Sequence, residues 1–248
     1  MDLDPGLAAL RPLGGFFVLR TTADAAPPAT VPPTLAEAYA APAADARRDA
    51  LVLRVSTVAH RLRVREPRVS ASLAHQGLAA RLWSVALACA ALYGRTPDLA
   101  PALLRWDATA SAPDDLWLTG VRARPGDAAT LADTVLHGHL EPLEQALRAR
   151  YGIAAGLLRG NAGSALAAAA RELGRRARAS GRGDAAERAR ALTDALFAHP
   201  LLRPTGSRTG TAFRRRSCCL YYRVPGSSVC GDCCFTRPPG TSPRAPSG

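Results

Sequence analysis

Five of the six cysteines in this 248-residue chain fall within 17 consecutive residues near its C-terminus. They are Cys218, Cys219, Cys230, Cys233 and Cys234, while the sixth is Cys89. Residues 1–4 lack the basic start of a signal peptide, and no apolar run is long enough to span a bilayer, so we expect the chain in the cytoplasm. Because thiols stay reduced there, the clustering predicts a metal site rather than a disulfide framework.

The spacing of these cysteines is an adjacent pair, ten intervening residues, and then C-x-x-C. Two residues between ligands let both sulfurs reach one metal, and Gly231 is expected to ease that turn. Adjacent side chains in an extended chain point to opposite faces, so Cys218 and Cys219 suit one tetrahedral zinc poorly and two separate irons better. The pattern favours a two-iron cluster, with a four-cysteine zinc site as the alternative.

The composition favours helices, because alanine and leucine are plentiful and aromatic residues make up only 5% of the chain. The clearest predicted helix has an apolar stripe with steps of three and four residues, and it is expected to end at Gly94. The stripe consists of Leu78, Leu82, Val85, Cys89 and Leu92. Its cysteine is therefore expected to be buried and inert.

Three further helices are predicted from capping signals. They are a helix opened by a capping box of Thr130 with Asp133, a helix opened by Asn161 that runs to about Ala179, and a helix opened by Asp184 with Glu187 that stops near His199. Trp83, Trp106 and Trp117 are expected to pack in the core or at an interface rather than to relay electrons.

Short strands are predicted at Leu51 to Val58, Leu103 to Trp106 and Leu116 to Arg122, the last two forming a hairpin with Asp114 and Asp115 in its turn. Residues 204–211 are predicted to be loop. The expected fold class is α+β and predominantly α-helical, with a helical body, a few short antiparallel strands and a C-terminal cysteine-rich cluster loop. Its expected parts are an N-terminal variable region packed on the body (1–65), the mainly helical body (66–203), the cluster-binding segment (204–236) and a disordered tail (237–248).

The cysteine signature also has distinctive neighbours, namely Tyr221-Tyr222-Arg223, Pro225-Gly226 and Gly231-Asp232. With these neighbours it resembles the signature of the FhuF-like ferric-siderophore reductases. Residues 76–84 and 160–165 are similar to the body of that family, so the likeness covers roughly residues 68–236. The resemblance implies that Cys218, Cys219, Cys230 and Cys233 bind one [2Fe–2S] cluster. Cys234 departs from the pattern, where a non-cysteine residue is expected, and we interpret it as a bystander rather than a substitute ligand.

The resemblance implies an enzyme that transfers one electron from its [2Fe–2S] cluster to a ferric siderophore. Siderophores hold ferric iron tightly and ferrous iron weakly, so this electron would release the metal. The sequence contains no G-x-G-x-x-G fingerprint of a dinucleotide site, and we therefore expect a separate electron donor such as a ferredoxin or a reduced flavin system. Peripheral association with the membrane near a siderophore importer is compatible with this function, and a nucleic-acid partner is not expected.

Positive charge is concentrated around the cysteines. The chain has a formal charge of +12 and no lysine, and residues 201–248 contain eight arginines and one acid, Asp232. Arginines near a four-thiolate cluster would offset its negative charge, favour its reduced form, and attract an anionic siderophore or an acidic donor. The candidates for substrate or donor binding are Arg214, Arg215, Arg216 and Arg223. The alternative is a loop that is rich in arginine only because the whole chain is.

Two other classes of function remain open from the sequence. A non-catalytic four-cysteine zinc module could bind nucleic acid or a partner through its basic loop. An interaction protein related to siderophore assembly would bind the ferric chelate without turnover. Measuring the metal content would distinguish the zinc module from a reductase. Measuring turnover would distinguish the interaction protein from a reductase.

Overall fold

Helices dominate the structure, a computed structural model that describes residues 3–21, 31–40, 42, 45 and 49–239. In this described part, the α-helices are α1 (Leu3–Ala8), α2 (Leu35–Tyr39), α3 (Ala50–Leu62), α4 (Pro67–Tyr93), α5 (Ala128–Leu131), α6 (Glu141–Tyr151), α7 (Ala155–Ala179) and α8 (Gly183–Phe197). A π-helical segment, Ala132–Leu140, joins α5 to α6. The predicted α+β class with helices dominant is confirmed.

The strands are short and form three small sheets. They are β1 (Arg20–Thr21), β2 (Arg95–Pro97), β3 (Leu104–Trp106), β4 (Leu116–Leu118), β5 (Ala123–Pro125), β6 (Gly206–Thr209) and β7 (Ala212–Arg215). The three-stranded sheet has the order β1-β4-β3, with β3 antiparallel and β1 parallel to β4. The pairs β2-β5 and β6-β7 are antiparallel.

Helix α4 lies at the centre of the fold and packs against α3, α7 and α8. Buried residues occur around its whole circumference, which is the pattern of a helix enclosed by other elements. It ends as predicted at Gly94, whose φ of 68° is the left-handed conformation that glycine adopts most easily. Cys89 is fully buried, and burial raises the pKa of its thiol to about 12, so the prediction of an inert core cysteine is confirmed.

The strand predicted at Leu51 to Val58 is wrong, because this stretch lies within helix α3. Asp49 caps the helix by accepting hydrogen bonds from the backbone N–H groups of Leu51 (2.9 Å) and Val52 (3.2 Å). Leu51 and Val55 then face the core one helical turn apart. The local preference of valine for strands is overridden by this cap and by packing against α4.

Two predicted helix starts are also corrected. The residue that opens α5 is Asp127, whose carboxylate accepts a hydrogen bond from the backbone N–H of Thr130 at 2.8 Å, rather than Thr130 itself. Asn161 is not an N-cap, because it lies two turns inside α7 and is fully buried. Helix α8 begins at Gly183 and ends at Phe197, close to the predicted bounds.

The hairpin predicted between residues 103 and 122 is confirmed as the pair β3-β4, although its second strand ends at Leu118. Asp115 is not an exposed turn residue, since it is buried and paired with the buried Arg81 at 3.0 Å. Trp83 and Trp106 are buried in the core as predicted, whereas Trp117 is only half-buried.

The C-terminal part differs from the sequence prediction at residues 204–211, where a loop was expected. These residues form strand β6 and the turn to β7, with Gly210 in the left-handed conformation at the turn. Residues 240–248 of the predicted tail lie outside the described residues. Among the helices that the structure describes, none is long and apolar enough to cross a membrane.

Candidate metal centre

Residues 216–235, called the cysteine segment below, follow strand β7 and lie against helices α4 and α7. The hydroxyl of Ser72, in α4, donates to the carbonyl oxygen of Cys219 at 2.8 Å. The side-chain amide of Asn161, in α7, donates to the carbonyl and hydroxyl oxygens of Ser72 at 2.8 and 3.0 Å. A chain of buried hydrogen bonds therefore links both helices to the backbone of the adjacent cysteine pair.

Leu220, directly after that pair, has a φ of 67°, which is uncommon for a residue other than glycine. Its side chain packs against a small apolar cluster formed by Val64, Val69 and Val224. In this conformation its backbone N–H donates to the Sγ of Cys218 at 3.3 Å. The apolar contact compensates for the strained backbone and directs a hydrogen bond at a candidate ligand.

Two of the candidate ligand sulfurs lie in direct contact. The Sγ atoms of Cys219 and Cys230 are 3.4 Å apart, and Cys233 Sγ accepts a hydrogen bond from the backbone N–H of Phe235 at 3.4 Å. Over the described residues, no group of three or more histidine, cysteine or acidic side chains is arranged to hold a single metal ion. Thiolate is the ligand type that a [2Fe–2S] cluster takes, so the chemistry of the donors present fits this group.

The thiols differ in how readily they lose a proton. The pKa of Cys219 is lowered to about 7, chiefly by its hydrogen bond with Cys230 and further by the charge of Arg215. The pKa of Cys230 is raised by the same hydrogen bond, because the pair holds its second proton more tightly than its first. The pKa of Cys218 is raised, chiefly by burial, with a smaller effect from the thiols of Cys234 and Cys233.

Strand β7 divides three consecutive arginines between two environments. Because side chains alternate along a strand, Arg214 is exposed while Arg215 points inward and is 2% exposed. The Arg215 guanidinium donates to the side-chain oxygens of Asn161 and Gln76, and it forms no salt bridge within the described part of the chain. A buried cation with neutral partners therefore lies next to the cysteines, at a position for which the sequence suggested a contact to substrate or donor.

The second half of the cysteine segment is held through Asp232, between Cys230 and Cys233. Its carboxylate accepts a hydrogen bond from the Ser164 hydroxyl at 2.6 Å and pairs with Arg171 at 3.1 Å. Its carbonyl oxygen accepts from the backbone N–H of Arg215 at 2.9 Å. These contacts join the C-x-x-C turn to helix α7 and strand β7.

Small residues in α7 allow this close approach. A Cβ atom on Gly160 would lie 2.1 Å from the Ser217 hydroxyl, and one on Gly163 would lie 2.4 Å from the Thr205 hydroxyl. By contrast, Gly231 has no left-handed φ and no atom near its missing Cβ, so the C-x-x-C turn does not require glycine there.

The other predicted side chains lie at the surface of the segment. Arg214 and Arg216 are exposed, and Arg223 is exposed but paired with Glu66. Cys234 is half-buried, and its carbonyl oxygen accepts a hydrogen bond from Arg214 at 3.1 Å. The roles of these three arginines in binding, and of Cys234 as a bystander, stay predictions.

Sequence reasoning missed the residues that position the cysteines, namely Ser72, Asn161, Ser164 and Arg171. A usable signal was present in residues 160–164, Gly-Asn-Ala-Gly-Ser, because glycine, asparagine and serine are unfavourable inside a helix. Their presence in the middle of α7 indicates a surface that receives another chain segment.

The fold and the site together define a helix-dominated α+β protein with a thiolate metal centre in its C-terminal loop. Residues 215–235 match the family model described as FhuF 2Fe-2S C-terminal domain. The C-terminal segment is therefore a FhuF-type domain, its cofactor is a [2Fe–2S] cluster, and the resemblance read from the sequence is confirmed there. No curated protein matches the chain. The assignment of Cys218, Cys219, Cys230 and Cys233 as the four ligands stays a prediction.

Replacing Arg215 with glutamine is expected to lower the reduction potential of the cluster, because the buried cation favours the more negative, reduced state. At an effective dielectric constant of about 20, one nearby charge contributes on the order of 2 kcal/mol. This corresponds to roughly 90 mV for a one-electron couple. A potentiometric titration followed by electron paramagnetic resonance measures the shift. Arg215→Lys, which keeps the charge, should stay near the wild-type potential, and an equal shift in both variants would contradict the electrostatic role.

Proposed function

We propose that this chain is a ferric-siderophore reductase. An electron from a separate donor, such as a ferredoxin or a reduced flavin system, would reduce chelated ferric iron, which the siderophore then releases in the ferrous state. When bound, the [2Fe–2S] cluster supplies a one-electron carrier. The observation that carries the proposal is the match of residues 215–235 to a FhuF-type [2Fe–2S] domain.

The residues around the cysteines support a centre that exchanges electrons with other molecules. Cys218, Cys230 and Cys233 are only half-buried, so the centre would lie close to the surface. Arg214 and Arg216 are exposed beside it and would attract an anionic chelate or an acidic donor protein. Tyr221 and Phe235 add exposed aromatic surface, 37% and 40% accessible, of the kind that partner proteins contact.

We also propose the parts and the location of the protein. In this proposal the segment from 204 to 236 carries the centre, residues 66–203 form the helical body, residues 1–65 pack on it, and residues 237–248 form a tail. The protein would act in the cytoplasm, with peripheral association near a siderophore importer as an additional feature.

The proposal is tested with protein purified and handled without air. We expect a reddish-brown protein with about two iron atoms and two sulfides per chain, as a [2Fe–2S] centre requires, and a rhombic resonance signal after reduction. Mixing the reduced protein with a ferric siderophore and a ferrous-iron chelator should oxidise the centre and form the coloured ferrous complex. A colourless protein with one zinc per chain would overturn the proposal. If the reduced centre stayed reduced in the presence of ferric siderophores, the chain would bind these chelates without reducing them.

A further inference from the structure

A cavity of about 410 Å³ lies outside the cysteine segment, between helices α7 and α8 and the β6-β7 hairpin. Small side chains form its floor, with Ala167, Ala170 and Gly174 from α7 and Ala186 from α8. Its volume is in the range of natural small-molecule sites. The cavity is therefore large enough for a ligand, and its walls determine which kind.

The walls of this cavity carry several positive charges. Four arginines contributed by three elements line it, namely Arg171, Arg178, Arg190 and Arg208. Asp194 is the only acid among the lining residues, and it is shared by Arg190 at 3.2 Å and Arg208 at 2.7 Å. Asp232 and Glu187, outside the lining, also pair with Arg171 and Arg190, so three carboxylates offset four arginines and one positive charge remains in excess, which favours an anionic ligand.

Arg178 is the cation with the most freedom to bind such a ligand. It forms no ion pair with any residue of the described ranges, whereas Arg190 also contacts Glu187 at 3.1 Å. A Cβ atom on Gly174 would lie 3.4 Å from the Arg178 guanidinium, so the missing side chain leaves room for that group on the cavity floor. A planar guanidinium in this position can bind two oxygen atoms of one anion.

One wall of the cavity contacts the cysteine segment directly. Arg171 lines the cavity and pairs with Asp232 at 3.1 Å, and Asp232 stands between the candidate ligands Cys230 and Cys233. An anion held by these arginines would therefore lie beside the C-x-x-C turn. This position suits a substrate that must come close to the metal centre.

The lining also distinguishes between kinds of anion. It consists of alanine, glycine, threonine, arginine and aspartate, without an aromatic ring to stack on a flat heterocycle such as a flavin. We infer that this cavity binds anionic, oxygen-rich ferric chelates, of the catecholate or carboxylate type, in preference to uncharged hydroxamate chelates. This inference rests on the proposed reductase function and adds the charge class and binding site of the substrate.

Binding of redox-inert gallium(III) chelates to the full-length protein tests the site without any electron transfer. The probes are the trianionic complex of a hexadentate tris(catecholamide) and the uncharged complex of a hexadentate tris(hydroxamate), compared by titration calorimetry. We expect the anionic complex to bind at least about tenfold more tightly, with an affinity that falls as salt is added. Equal affinities for the two complexes would overturn the inference.

Substitutions on a single helix localise the site. Arg178→Gln should weaken binding of the anionic complex by roughly tenfold, the loss expected for a charge-assisted hydrogen bond, and leave the uncharged complex unaffected. Arg175→Gln is the matched control, because Arg175 lies on α7 outside the cavity and pairs with Glu172. Equal effects of the two substitutions would refute the site. If the protein reduced ferric siderophores without a preference for charge, the cavity inference would fail and the reductase function would stand. If it bound the anionic chelate but did not reduce it, the reductase function would fail and the cavity inference would stand.

Discussion

Replacing Cys230 with serine is expected to abolish both the [2Fe–2S] centre and the reduction of a ferric siderophore. The Sγ of Cys230 is 3.4 Å from that of Cys219, so its loss removes one member of this thiol pair. A serine hydroxyl is a harder and less acidic donor than a thiol and replaces thiolate poorly on iron–sulfur iron. Iron and sulfide content, the visible spectrum and single-turnover reduction measure the outcome together.

Two other cysteines provide controls for this prediction. Cys89→Ala should keep a full complement of iron and sulfide, because Cys89 is buried in the core on helix α4. Cys234→Ser should do the same if Cys234 is a bystander, although it directly follows a candidate ligand. A Cys230→Ser protein that retained the centre and the rate would contradict the assigned ligand set. Loss of the centre in Cys234→Ser would transfer a ligand role to Cys234.

Replacing Gly206 with alanine is expected to destabilise the protein and weaken retention of the centre while leaving every cysteine in place. A Cβ atom on Gly206 would lie 2.4 Å from the carbonyl oxygen of Arg214 and 2.5 Å from the ring of Phe213. The φ of −178° is extended, so the obstacle is contact rather than backbone strain. Strands β6 and β7 would have to separate, which moves Arg215 and the segment that follows it.

The expected cost of this substitution is about 1–3 kcal/mol, the usual range for overpacking a tight site. For a protein of this size, this corresponds to a fall in Tm of roughly 3–10 °C. Thermal unfolding followed by circular dichroism and the iron content after dilution measure both effects. Gly120→Ala is the control, since no heavy atom lies within 4 Å of its added Cβ and its φ is not left-handed. Unchanged stability and iron content in Gly206→Ala would show that the hairpin does not hold the segment.

The arginines in and around the C-terminal part occupy three different structural positions. Arg215 is a buried cation beside the thiols, Arg171 links helix α7 to Asp232, and Arg214 and Arg216 remain at the surface. A net charge counted over the segment does not distinguish these positions. The different positions explain why the Arg215 and Arg178 substitutions are expected to change different properties, the reduction potential and the affinity for anions.

Sequence patterns predicted a secondary-structure element correctly wherever neighbouring residues alone determine its conformation. The stripe of Leu78, Leu82 and Val85 predicted α4, and Gly94 predicted its end, because helical periodicity and a left-handed cap are properties of adjacent residues. The same patterns failed where contact with an element distant in sequence determines the secondary structure. Val52 and Val55 favour a strand locally, yet they form a helix that packs on α4. Residues 206–209 resemble a loop until β7 pairs with them.

The cysteine spacing by itself predicted a four-thiolate metal site and favoured two irons over one zinc, because ligand type and separation along the chain restrict which metals a short loop can hold. It could not determine what holds that loop, since those residues are distant in sequence. Ser72 donates to the carbonyl oxygen of Cys219, Asn161 holds Ser72 from a second helix, and Asp232 pairs with Arg171. Only the tertiary structure placed Arg215 inside and a basic cavity beside the C-x-x-C turn, because burial and charge neighbours depend on how separate elements pack together.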